Sequence, residues 1–231
     1  MIEFYTGVPG SGKSYHVARR IYSALQHGIN VLSNVDIDVG AIPQLGNKKK
    51  GIFVYLNADN FKENRMFKTK YGRRVAQNEK FSYIQGLYGF AFNFHTQNSV
   101  GTIKEGQTLL VLDECQQDYL FNSRSWNRKD RLAWINFFRI HRHLGYNCIL
   151  ISQDDKSIDK QIRPVLQKQV LHRKLSNYKK LGKILSAPFG GNVFICIESM
   201  YGMKKSDAHL KSYVLFGSPK YFAIYNSYEI L

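Results

Sequence analysis

The chain has 231 residues, 44% hydrophobic and 22% charged, a balance that suits one larger compact domain and excludes a disordered chain. Its 33 Lys and Arg against 17 Asp and Glu give a formal charge of +16, which favours polyanionic partners: nucleic acid, anionic lipid surface or nucleoside phosphates. Cys115, Cys148 and Cys196 form no C-x-x-C pair, so cysteine spacing indicates neither a zinc site nor a redox motif.

In chain order, Ile2 to Thr6 is a short β-prone run, followed by a glycine loop from Gly7 to Gly12. From Lys13 onward, Val17, Ala18, Ile21, Ala24 and Leu25 recur at helical spacing, and Gly28 supplies a stop. Asn30 to Val35 reads as the next strand, which completes a βαβ unit of parallel-sheet length. Residues 39–100 read as an insertion, with Ile52 to Tyr55 as a possible strand and Phe81 to Phe94 open between helix and hairpin.

Order returns at Thr108 to Leu112, whose consecutive aliphatics suit a strand buried on both faces and ending in Asp113-Glu114. A helix is predicted from about Asp130 to Leu144, stopped by Gly145, and then Cys148 to Gln153 repeats the buried-strand pattern. Residues 166–231 read as a strand-rich extension, with β-prone runs at Val193 to Ile197 and Tyr213 to Phe216. The opening Met1-Ile2-Glu3 lacks a basic, apolar leader, and no run of eighteen apolar residues occurs; with a buried reduced thiol at Cys148, a cytosolic setting is expected.

The chemistry begins at Gly7-Val8-Pro9-Gly10-Ser11-Gly12-Lys13-Ser14, a full G-x-x-x-x-G-K-[ST] phosphate loop between strand and helix, with Tyr15 next to it. The glycines let backbone N–H groups turn inward as an anion nest, and the helix adds its positive end. Lys13 is placed to reach the β- and γ-phosphates and the Ser14 hydroxyl to hold Mg²⁺. On average residue usage, a chain this long matches the pattern by chance roughly 1% of the time. Nucleotide-binding residues are therefore assigned to Gly7 through Tyr15, with ATP and Mg²⁺ as cofactors.

Asp113, at the tip of an apolar strand, is the second metal-site candidate, and the adjacent Glu114 suits a general base for the attacking water. Gln153, at the end of the next buried strand, can orient that water or sense the γ-phosphate, or be an ordinary polar strand end. The stretch from Arg124 to Arg142 is rich in arginine; Arg142 is the first candidate for an arginine supplied to a neighbouring subunit, and Arg163 the second. His141 and His143 are two apart on a predicted helix, share no face and suit no metal pair. Basic runs interleaved with rings, Phe67 to Arg74 and Lys174 to Lys183, suit single-stranded nucleic acid or ordinary loops equally.

The opening Ile2 to Ser14, the Val31 to Val35 strand, Leu112-Asp113-Glu114-Cys115-Gln116 and Arg142-His143-Leu144-Gly145-Tyr146-Asn147 leading to Gln153-Asp154 resemble the zonula occludens toxin (Zot) family, which includes the assembly ATPases of filamentous phages. The likeness covers most of residues 1–165. It implies an α/β P-loop NTPase of FtsK/HerA-like type, a mostly parallel sheet flanked by helices with a β-rich C-terminal extension, in a single domain spanning 1–231. It further implies an ATP-driven ring that extrudes phage single-stranded DNA or nucleoprotein at the cytoplasmic face of the inner membrane while coat and assembly proteins join. Lys13, Ser14, Asp113 and Glu114 would form its hydrolytic core. Family members continue into a transmembrane segment, so membrane attachment is expected through a segment absent from this chain. The toxin activity behind the family's name belongs to other regions. Two readings compete: a small-molecule kinase on the same scaffold, and an assembly module that binds nucleotide without turnover.

Overall fold

The computed structural model describes residues 1–57, 86–117, 120–122, 124 and 128–225. Eight strands form one sheet: β1 (Ile2–Thr6), β2 (Asn30–Ser33), β3 (Phe53–Tyr55), β4 (Thr108–Leu112), β5 (Tyr146–Ile151), β6 (Lys168–Lys174), β7 (Val193–Met200) and β8 (His209–Phe216). Their spatial order is β3-β2-β4-β5-β1-β6-β7-β8. The first six are mutually parallel, whereas β7 and β8 add antiparallel. Among the helices described are α1 (Lys13–Gln26), α2 (Gly86–Phe94), α3 (Arg128–Ile140) and α4 (Lys179–Ser186).

Alternation along the central strands divides the core into two layers. Phe4, Leu110, Leu112, Cys148 and Leu150 face a layer with α2 and the aromatic side of α3, where Trp134, Phe137 and Phe138 pack. Tyr5, Leu109, Val111, Ile149 and Ile151 face the other layer, filled by Val17, Ile21 and Leu25 of α1. The aliphatic runs of β4 and β5 are buried on both faces, as a parallel sheet covered by helices requires. Each such side chain taken from water contributes about 1.5–3 kcal/mol. The result is the P-loop NTPase fold: an open, mostly parallel sheet between helices.

Several expectations sharpen. The segment left open between helix and hairpin is helical from Gly86 to Phe94, and residues 81–85 lie outside the described residues, as does Phe67 to Arg74. The helix predicted from Asp130 runs Arg128–Ile140, and residues 141–145 turn into β5, with Gly145 at φ 80°. The strand-rich tail supplies β6, β7 and β8 of the same sheet. β6 had no counterpart in the sequence reading: it begins and ends in Lys168, Arg173 and Lys174, yet its middle, Val170 and His172, is buried beside β1. Among the described residues, no helix is long and apolar enough to cross a membrane.

Candidate nucleotide site

The phosphate loop leaves the carboxyl end of β1, the edge at which parallel α/β sheets bind ligands. Its turns need glycine at two positions in particular. Gly7 has φ 144°, and a Cβ there would sit 2.5 Å from the His172 carbonyl oxygen. Gly12 has φ 99°, and a Cβ there would run into the Phe194 ring at 2.3 Å. Gly12 caps α1 and no side chain takes part, so the first turn's N–H groups are left for an anion.

Lys13 is 9% exposed, and its Nζ donates to the carbonyls of Gly7 at 2.7 Å and Val8 at 3.3 Å. Burial lowers its pKa, while Asp113 and Glu114 act in the opposite sense. The ammonium and the two carboxylates therefore share one electrostatic neighbourhood. Ser11 Oγ is fully buried without a hydrogen-bond partner among the described residues, a polar atom aimed into the loop.

Asp113 follows β4 and is 9% exposed. Burial pushes its carboxyl up to about 6, raised further by Glu114, and opposed by the Glu114 backbone N–H that it accepts at 2.8 Å and by Lys13. Asn34, just past β2, clamps the same strand tip: its Nδ2 donates to the Asp113 carbonyl at 2.9 Å and its Oδ1 accepts the Asp113 N–H at 2.7 Å. The buried Asp113 carboxylate and the Ser14 hydroxyl, both of which act on Tyr225, are an all-oxygen donor set of the kind hard Mg²⁺ prefers. The residues present fit that ion.

Glu114 carries φ 50°, the left-handed backbone region, which costs a non-glycine residue about 1–2 kcal/mol. Such strain is typical of functional positions. Its carboxylate accepts a hydrogen bond from the Gln116 side-chain amide. Gln116 Oε1 in turn accepts from Ser152 Oγ at 2.8 Å, and Ser152 meets Ser157 at 3.0 Å. The tip of β5 is thereby wired to Glu114.

The remaining sequence candidates fall in different places. Gln153 approaches the loop through its backbone: its carbonyl accepts from Thr6 Oγ1 at 2.7 Å and from Gly7 N at 3.4 Å, and its side chain is exposed. Arg142 sits in the turn before β5, at the amino end of the parallel strands. The loop lies at the opposite end, about 20 Å away along a six-residue strand. It is exposed and ion-paired with Glu105 at 3.0 Å. Arg163 donates to the carbonyls of Lys156 and Ile158. Tyr15 turns away from the loop: its hydroxyl donates to the Phe216 carbonyl at 2.7 Å and accepts from Ser218 N at 3.0 Å, tying α1 to the chain after β8. His141 is buried with Nδ1 2.6 Å from the Phe138 carbonyl, and burial lowers its pKa to about 4.

Sequence reasoning gave no role to Asn34, Gln116, Ser152 or Tyr225. Tyr225 faces Ser14, Asp113 and Glu114 from the C-terminal side, and burial foremost raises its pKa. Asn34, Gln116 and Ser152 stand inside recognised segments, whereas Tyr225 carries no local signal.

The family described as Zonular occludens toxin (Zot) matches residues 1–185. The Gene 1 protein of Enterobacteria phage M13 is 29% identical over 196 residues, covering 85% of this chain and 47% of that protein. The Gene 1 protein of Enterobacteria phage I2-2 is 30% identical over 191 residues, covering 81% and 45%. The chain thus spans about half the length of the curated relatives it matches. The crystal structure of the N-terminal domain of zonular occludens toxin from Neisseria meningitidis superposes with a TM-score of 0.54 at 16% identity, covering 97% of this chain and 98% of that one. With its phosphate loop, strand-tip carboxylates and six parallel strands inside the matched region, the chain belongs to the Zot family.

Proposed function

We propose that this chain is an ATP-hydrolysing motor domain for filamentous phage assembly and extrusion, working as an oligomer on single-stranded DNA at the inner membrane. The observation that carries the hydrolytic part is the gathering of Lys13, Asp113 and Glu114 in one buried neighbourhood at the phosphate loop. The phage context is supported by the Gene 1 protein relatives, and the polyanion partner by the charge of +16.

Nucleotide arrival exchanges Lys13's bonds to the Gly7 and Val8 carbonyls for the β- and γ-phosphate oxygens, which neutralises charge where it builds up. Ser14 and Asp113 would hold Mg²⁺, which would supply electrostatic clamping of those phosphates. Glu114 takes the proton of the attacking water as its oxygen bonds to the γ-phosphorus and the bond to the ADP oxygen breaks. Gln153 lines the approach from the end of β5. Arg142 faces away from its own loop, so any part it has in hydrolysis is a part in trans, in the site of a neighbouring subunit.

The experiment is phosphate release by wild type and Lys13→Ala, with and without single-stranded DNA, across protein concentration. Turnover that requires Lys13 and rises with both DNA and concentration supports the oligomeric motor. No Lys13-dependent turnover in any condition sinks the hydrolytic reading and leaves a nucleotide-binding assembly module. Phosphate delivered to an acceptor rather than to water identifies a kinase instead.

A further inference from the structure

Beneath the phosphate loop lies a buried polar cluster that hydrolysis does not use. His16 stands in the first turn of α1, three residues past Lys13. His172 lies in β6, beside β1, and Cys196 is its direct partner across the antiparallel β6–β7 ladder, so both side chains leave the same face. The three residues are 5%, 1% and 0% exposed. His16 Nδ1 is 2.9 Å from His172 Nε2 and 4.0 Å from Cys196 Sγ, and all three atoms lie within 4.8 Å of one another.

The atoms around the cluster set its protons. His172 Nδ1 is 3.2 Å from the Thr6 carbonyl oxygen, which can only accept, so Nδ1 carries the proton and Nε2 presents its lone pair. A ligating histidine whose other nitrogen donates to a backbone carbonyl is the usual arrangement around a bound metal. On the far side of the His16 ring, Nε2 is 3.5 Å from the Tyr5 hydroxyl, which donates to Glu3 at 3.1 Å; Glu3 is also bound by Arg20.

We propose that His16, His172 and Cys196 form a binding site for one zinc-class divalent cation, which ties the first turn of α1 to β6 and β7 under the phosphate loop. Two nitrogens and a thiolate are a donor set for zinc. Bonds of ~2.05 Å to nitrogen and ~2.3 Å to sulfur at tetrahedral angles put the nitrogens roughly 3.3 Å apart and nitrogen to sulfur roughly 3.6 Å. The observed 2.9 and 4.0 Å are each a few tenths of an ångström away. Loading balances in protons. The Cys196 thiol proton leaves to solvent, and the His16 proton moves from Nδ1 to Nε2, where the Tyr5 oxygen accepts it. One proton is released per ion. Local spacing hid this site, because His172 and Cys196 lie 156 and 180 residues beyond His16 in sequence.

The test is titration of the metal-stripped full chain with Co²⁺ as the probe, followed by Zn²⁺ competition, in the absence of nucleotide. The expected result is one Co²⁺ per chain, a thiolate-to-cobalt charge-transfer band with tetrahedral ligand-field bands, release of one proton, and displacement by Zn²⁺. Cys196→Ser, checked for native circular dichroism, should lose the charge-transfer band. His172→Asn should weaken binding by more than the roughly 10–100-fold that loss of an outer hydrogen bond costs. A folded wild type that binds no Co²⁺, or a band that survives Cys196→Ser, overturns the proposal and leaves the cluster a hydrogen-bonded histidine pair. The wild-type titration needs no variant to fold, and none of its readouts depends on nucleotide turnover.

Discussion

Gln116 holds Glu114: its side-chain amide donates to the carboxylate, while its carbonyl oxygen is engaged by Ser152 at the end of β5. A general base bound to an amide has one lone pair fewer for water. Through Ser152, the residue before Gln153, the bond also joins Glu114 to the chain that touches the loop through the Gln153 carbonyl. A shift at the β5 tip is therefore felt at Glu114.

Gln116→Ala releases that restraint. Phosphate release without DNA should rise several-fold, with nucleotide affinity unchanged because Gln116 touches no loop residue in the bonds described. Equal or lower basal turnover in a folded variant would mean that Gln116 positions Glu114 productively rather than restraining it.

Glu114→Gln keeps the size of the side chain and removes the proposed base. Turnover should fall by about 10²–10⁴-fold, while nucleotide binding persists through the untouched loop and Lys13. Binding and single-turnover measurements separate the two. If turnover stays near wild type, the base lies elsewhere.

The phosphate loop and its opposing carboxylate were legible because each is contiguous: Gly7 to Ser14 carries its own chemistry, and Leu109 to Leu112 announces a buried strand with Asp113 at its tip. β6 was hidden by its charged ends, Lys168, Arg173 and Lys174, which stay partly or wholly exposed while only Val170 and His172 are buried. Arg142 is a basic residue in a recognised segment, and because it precedes a parallel strand whereas the loop follows one, it stands at the opposite end of the sheet from the loop. Tyr225 approaches Ser14 from more than 200 residues along the chain, and only packing of the tail against α1 reveals it.

The Asp113 carboxyl gives a pH dependence with a definite sign. Its pKa is raised by burial from 3.8 to about 6, so the nucleotide-free fold holds a proton that the unfolded chain has lost between those values. Its contribution to stability is present below 3.8 and disappears as pH rises through about 6. Mg²⁺ requires the ionised form, so Mg²⁺-dependent nucleotide affinity should weaken as pH falls below about 6. Asp113→Asn should remove that acid limb. An unchanged limb in the variant would assign the titration to another group.

Gly12 tests the loop's backbone apart from its chemistry. At φ 99°, with the Phe194 ring 2.3 Å from where a Cβ would stand, Gly12→Ala meets both strain and collision. It should destabilise by more than about 1 kcal/mol, a loss of roughly 2–4 °C or more in Tm for a domain of this size. Phe194→Ala clears the collision but leaves the strained φ, so the double variant should recover part of the loss relative to the sum of the single changes. Strict additivity in thermal unfolding would show that Gly12 and Phe194 are not coupled, and that backbone conformation alone demands glycine there. Partial recovery would show that β7 holds the phosphate loop in shape, the same strand that carries Cys196 two residues further on.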